Sequence, residues 1–191
     1  NGFLNGMLTP IVKVKMGTKT KFSSIDFYSS KDFKKWEAEN KSNTKWTAKY
    51  YKGLGTSTPK EAKQYFRDLK MIKYTAEEAA DLETMKMAFS KNDDSANNRK
   101  LWLKEYNKEF TLDYKSPIVP IRDFIELDLK HFSTSDNIRS IPSCIDGLKP
   151  SQRKVLFGAL KRNLYKQEIK VAQLAGYISE NAAYHHGEAS L

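Results

Sequence analysis

Four cations, Arg139, Lys149, Arg153 and Lys154, fall within the short stretch from Asp136 to Lys154. Asp146-Gly147 is a strong turn signal, and Pro150 suits a first helical position, where a missing N–H costs nothing. Val155, Leu156, Ala159 and Leu160 then recur at helical spacing. Lys149, Arg153 and Lys154 are therefore expected on the first turns of a helix, beside backbone N–H groups with no partner inside it. Backbone donors, a positive dipole end and mobile cations together suit a phosphate group. An ordinary solvated helix start has the same ingredients, so the elements around it must decide.

A second stretch has related chemistry. Lys45 to Tyr51 reads as a strand of β-formers with interspersed cations, running into Lys52-Gly-Leu-Gly-Thr-Ser57. Thr58 and Glu61 then spell a capping box, with Pro59 at the first helical position. Strand, glycine loop and helix start allow backbone N–H groups to approach a phosphate closely. Gly53-Leu54-Gly55 is a weak signal alone, because paired glycines are common in plain turns.

The charge balance favours a polyanionic partner. The chain has 191 residues, is 39% apolar and 12% aromatic, and carries a formal net charge of +10. That is a globular composition, long enough for one sizeable core or two small ones. From Arg139 to Lys170 there are eight Lys/Arg against two Asp/Glu, which makes nucleic acid the first partner to consider. The single cysteine, Cys144, excludes an internal disulfide and fits a reducing compartment. Its setting between Ser143 and Ile145 predicts a small core residue. No apolar run reaches transmembrane length and no signal peptide is visible, so no membrane partner is expected. With no initiator Met, the chain reads as a fragment of something longer.

These stretches need elements to position them. Leu8 to Lys15 and Ile25 to Tyr28 read as strands. A helix capped by Ser30 is expected to reach Glu39, with Phe33 and Trp36 inward. The helix after Thr58 is expected to bury Ala62, Tyr65, Phe66 and Leu69. A further helix, boxed by Thr75 and Glu78, is expected to run to Phe89 and bury Ala79, Leu82, Met85 and Phe89. Asn92 to Asn98 is a polar loop whose paired Asp93 and Asp94 do not converge like metal ligands, and a helix from about Asn98 to Phe110 follows. Pro117 and Pro120 mark the Thr111–Pro120 stretch as a linker. This places a domain boundary at 115/116, with an α/β unit over residues 1–115 and a mainly helical unit over 116–191. In the second unit a helix capped by Asp123 carries Phe124, Leu127 and Phe132. The cationic helix then runs to about Asn163, and another from about Lys170 to Tyr184 carries Val171, Leu174, Ala175 and Ile178. His185-His-Gly187 breaks it and Glu188 opens one further turn, which is a helix-turn-helix pattern cut off at its recognition helix.

Taken in order, these motifs resemble the eukaryotic-type, ATP-dependent type IIA DNA topoisomerases. The resemblance rests on Thr9-Pro-Ile-Val-Lys-Val14, Lys49-Tyr-Tyr-Lys-Gly-Leu-Gly-Thr-Ser57 and Arg139-Ser-Ile-Pro-Ser143. It continues through Asp146-Gly-Leu-Lys-Pro150 with Gln152-Arg-Lys154, Lys170-Val-Ala-Gln-Leu-Ala-Gly176 and Tyr184-His-His-Gly-Glu188. It implies the C-terminal part of a metal-binding TOPRIM α/β domain with a helical extension, then the start of a winged-helix DNA-gate domain. It implies an enzyme that cleaves both strands of one duplex, passes another through the gap and reseals it, working as a homodimer, with a nuclear location. A virus factory or the cytoplasm would replace the nucleus for a virus-encoded member, which the weakly matching Ser116–Lys130 segment allows. By the same resemblance Arg139, Lys149, Arg153 and His186 line the cleavage centre, and Lys52, Gly53, Leu54 and Gly55 lie close to DNA. Lys154 and His185 belong to the same DNA-facing set. Mg²⁺ and ATP are implied cofactors whose ligands, like the nucleophilic tyrosine, are not among these residues.

Transesterification at a phosphodiester accumulates negative charge on the phosphoryl oxygens, which prepositioned cations stabilise. Arg139 and Arg153 suit bidentate clamping and Lys149 a point charge; His186 suits hydrogen bonding or proton transfer. A non-enzymatic winged-helix module for transcription or DNA packaging is the competing reading. It explains the basic patch but not the α/β part with its glycine loop.

Overall fold

The computed structural model describes residues 3–17, 22–41, 45–52, 56–92 and 94–184. These form two compact units, Asn1–His131 and Phe132–Leu191. The fold is α/β in the first unit and helical in the second. The boundary expected at 115/116 lies inside the first unit, because Ile118–Pro120 of the proline-rich stretch pairs as a strand.

The first unit contains two small sheets. In one, β2 (Val12–Gly17) lies between β3 (Phe22–Phe27) and β4 (Trp46–Tyr50), antiparallel to both. Alternation along β2 sends Val12, Val14 and Met16 to one face. There they meet Phe27, Phe33, Trp36 and Trp46, with α1 (Ser30–Glu39) supplying Phe33 and Trp36. The opposite face carries Lys13, almost fully buried, with its ammonium 3.4 Å from Asp26 Oδ1 and 5.9 Å from the centre of the Tyr65 ring. Tyr65 belongs to α2 (Pro59–Arg67), which covers this face.

In the second sheet, β5 (Met71–Thr75) pairs antiparallel with β1 (Asn5–Met7) and parallel with β6 (Ile118–Pro120). Its core is Ile72, Leu112 and Val119, backed by Tyr74, Tyr114, Phe124 and Leu127. Two helices, α3 (Ala79–Phe89) and α4 (Ser95–Lys104), lie between β5 and β6 in sequence. After β6, α5 (Ile121–Asp123) leads through a π-helical segment, Phe124–Leu129, into α6 (Lys130–Ser140).

Several expectations are corrected. The first long strand starts at Val12 rather than Leu8, after Pro10, which has no N–H to offer a ladder. Ser29, not Ser30, caps α1, accepting from the Lys31 N–H at 3.2 Å. Thr75 ends β5, a strand not expected at all. The start of α3 is instead held by the buried Asp81 carboxylate, which accepts from the N–H groups of Glu77, Glu78 and Arg122 at 3.2 Å each. Because Asp81 faces inward, Leu82, Met85 and Phe89 face outward. Turning Tyr65 onto the sheet likewise leaves Phe66 and Leu69 exposed. Phe132 and Val171 are exposed as well. The helix expected from Asn98 starts at Ser95, whose hydroxyl donates to the Asn92 carbonyl. Cys144 is exposed, since it sits in a turn that directs its side chain outward. Asp93 lies outside the described residues.

In the second unit α7 (Pro150–Lys161) packs on α8 (Val171–Asn181). α7 ends in a Schellman motif. Asn163 adopts a left-handed φ of 57°, Leu164 N–H donates to the Ala159 carbonyl at 3.1 Å, and Asn163 N–H to Leu160 at 3.0 Å. The helices meet where buried Gly158 faces Ile178, and a Cβ at 158 would lie 2.6 Å from Ile178 Cγ1. Gly158→Ala should therefore destabilise this unit by about 1–3 kcal/mol through overpacking, although alanine is the better helix former. A lowered denaturation midpoint checks this; an unchanged or raised midpoint would show that Ile178 yields.

Candidate nucleic-acid interface

In the second unit the site is the connection from α6 to α7. Past Ser140 the chain reverses through Ser143–Leu148, with Gly147 N–H donating to the Ser143 carbonyl at 2.8 Å and Ser143 N–H to Leu148 at 3.1 Å. Gly147 has φ 70°, in the left-handed region that favours glycine. Asp146 accepts the Leu148 N–H at 3.0 Å, and Gln152 Oε1 accepts the Lys149 N–H at 2.8 Å. Pro150 opens α7 as expected.

The cations here are in different states. Arg153 donates from Nε and Nη2 to the two carboxylate oxygens of Asp146, at 2.7 and 2.8 Å. That guanidinium, followed by the Leu148 N–H, holds the Asp146 carboxyl down at about 2. Arg139 donates from Nη2 to Asp136, which also accepts from the Ser140 hydroxyl at 3.2 Å. Lys154 donates to the carbonyl of Ala183 at 2.7 Å, just past the end of α8. The Lys149 ammonium has no partner among the described residues. Residue types alone present both arginines as open forks and do not reveal their aspartates. Asp136 three residues before Arg139 is a legible helical pair, whereas Asp146 and Arg153 meet only because the chain reverses between them. His185 and His186 lie outside the described residues.

In the first unit, the loop after β4 is anchored at both ends by one carboxylate. Glu61 accepts from Lys49 Nζ at 2.8 Å, the Tyr51 hydroxyl at 2.5 Å, the Thr58 N–H at 2.8 Å and the Thr58 hydroxyl at 3.0 Å. The expected capping box is completed by Glu61 N–H on Thr58 Oγ1 at 3.3 Å. Lys52 is exposed, and its N–H donates to Thr56 Oγ1 at 3.1 Å. Gly53, Leu54 and Gly55 lie outside the described residues. No cluster of three or more His, Cys, Asp or Glu that could hold a metal occurs among the described residues.

Residues 7–137 match the family described as the C-terminal associated domain of TOPRIM. Residues 139–191 match the family of DNA gyrase/topoisomerase IV, in its A-type polypeptide. DNA topoisomerase 2 of Saccharomyces cerevisiae is 48% identical over 100% of this chain, which spans 13% of that protein. The chain belongs to the type II DNA topoisomerase family.

DNA topoisomerase 2-alpha of Mus musculus is 45% identical over 99% of the chain and 13% of its own length. A mitochondrial topoisomerase 2 from Dictyostelium discoideum is 46% identical over 100% of the chain and 15% of its own. Among solved structures, the DNA-binding, cleavage and re-ligation domain of Plasmodium falciparum topoisomerase II matches with a TM-score of 0.78 and 45% identity. That match covers 99% of this chain and 25% of the other. The topoisomerase family match thus changes from one description to the other inside α6, just ahead of the cationic turn.

Burial alone would raise the Glu61 carboxyl, but Lys49, Thr58 and Tyr51 outweigh it and hold the group well below the usual carboxylate range. Burial, then the bond to Glu61, pushes the Tyr51 phenol up. A depressed folded-state value means that the stabilisation is fully present above the ordinary Glu range and is lost as pH falls below it. Glu61→Gln should cost about 1.5–3 kcal/mol at neutral pH. The gap to the parent should narrow below about pH 4. Urea midpoints across that range check it, and a constant gap would show that the charge is not what anchors the loop.

Proposed function

We propose that this chain is part of the DNA gate of an ATP-dependent type II topoisomerase, which cleaves a duplex, passes another through it and religates. The observation that carries the reading is the Lys149 ammonium at the start of α7, unpaired among the described residues and flanked by Arg139 and Arg153, in a chain whose two family matches follow one another in order. Arg139 and Arg153 would grip the scissile backbone and Lys149 would add a point charge, opposing the negative charge that grows on the phosphoryl oxygens. Lys154, Lys52 with Gly53, Leu54 and Gly55, and His185 with His186 would complete the DNA contacts.

Mg²⁺ and ATP are the cofactors proposed for the whole protein. The described residues do not fit a Mg²⁺ site, so no step here runs through the ion. A homodimer is proposed because two strands need two nucleophiles, and nuclear residence follows from the family, with a mitochondrial relative as the exception. No helix among the described residues is long and apolar enough to cross a membrane.

In the full-length protein, Arg139→Ala should lower Mg²⁺-dependent cleavage by about 100-fold or more while duplex affinity falls far less. Equal losses would reduce Arg139 to a general phosphate contact. Lys149→Ala should lower the slope of log affinity against log salt by about 0.9, and an unchanged slope would remove Lys149 from the interface. Relaxation and decatenation assays with and without ATP test the whole reading. Duplex binding with no topological change would favour a non-enzymatic winged-helix module.

A further inference from the structure

The Asp146–Arg153 pair has a geometry that charge neutralisation alone does not require. Asp146 meets the guanidinium side-on, taking the Nε hydrogen and one Nη2 hydrogen. A guanidinium has five N–H donors in a fixed plane, so both Nη1 hydrogens and the second Nη2 hydrogen remain. Those donors line the end of the fork, where a phosphate can be held by two parallel bonds. The Arg153 side chain is 45% exposed, so part of it is open to solvent. The carboxylate is itself fixed from behind, because Asp146 Oδ1 also accepts the Leu148 N–H at 3.0 Å. The order of constraint runs from the turn to Asp146 and from Asp146 to Arg153. A half-exposed pair of this kind adds little to stability, which leaves orientation as its main effect.

We propose that Asp146 is a positioning residue for the DNA-cleavage chemistry, holding Arg153 side-on so that its end edge is aimed at a backbone phosphate. The carboxylate stays in place when DNA binds, and Arg153 bridges the protein anion and the nucleic-acid anion. The inference rests on the proposed DNA-gate reading. It adds a role for an anion inside a cationic surface, where simple electrostatics would count it as a defect.

The test uses the full-length protein and a linear duplex, with binding and single-turnover cleavage measured separately. Asp146→Asn keeps an acceptor for Leu148 and the side-chain shape but removes the charge. Removing an anion should leave duplex binding equal or tighter. Positioning predicts that cleavage of fully bound duplex nevertheless falls at least about 10-fold, with Asp146→Glu recovering part of the rate. Cleavage equal to or faster than the parent's in Asp146→Asn would overturn the proposal. Arg153→Lys keeps the charge and loses the fork, so it should show the same rate defect, and adding Asp146→Asn to it should cost little more. If Asp146→Asn does not fold, Arg153→Lys decides, and a normal cleavage rate there overturns the proposal. A parent that binds duplex but never cleaves it removes the DNA-gate reading and this inference with it. A cleaving parent with an unaffected variant removes the inference alone.

Discussion

A basic surface is usable only if its cations are held in defined places, and in this chain carboxylates do the holding. Asp146 receives the Arg153 fork and the Leu148 N–H, closing the reversal between α6 and α7 while setting the direction of the guanidinium. Glu61 does the equivalent for the loop after β4, gathering Lys49, Tyr51 and Thr58 onto one carboxylate. Like-charged side chains repel one another and sample many rotamers when free. A short anion on a rigid turn or helix start removes both problems locally.

The scaffold beneath follows the same logic of charge. Lys13 is buried on the face of β2 opposite the hydrophobic core, which is tolerable because Asp26 lies across the strand pair and Tyr65 covers it. Asp81 is buried at the start of α3 because three backbone N–H groups, one of them from Arg122 far along the chain, converge on it. Each of these two buried charges thus joins separate elements of the first unit. The helical unit relies instead on close approach, with Gly158 admitting Ile178.

Much of the local structure was legible. The capping box at Thr58–Glu61, Pro150 at the first position of α7 and the turn at Gly147 are short-range features whose partners lie within a few residues. β5 was not legible, because Met71–Thr75 has no clean alternation and becomes a strand only by pairing with Asn5–Met7 and Ile118–Pro120. The outward turn of Leu82, Met85 and Phe89 was not legible either. Periodicity gives the spacing of an apolar stripe, but the neighbours decide which face is buried.

The sequence by itself determined the family, the order of its motifs and the identity of the cations at the candidate site. Those depend on residue types and short spacings along one chain. Only the tertiary structure decided which cations are paired and which is open. Arg153 and Asp146 lie far enough apart in sequence that a chain reversal must bring them together, and the same reversal leaves the Lys149 ammonium without a partner among the described residues. Charge can be counted from a sequence, but the direction of a charged group depends on what folds back to meet it.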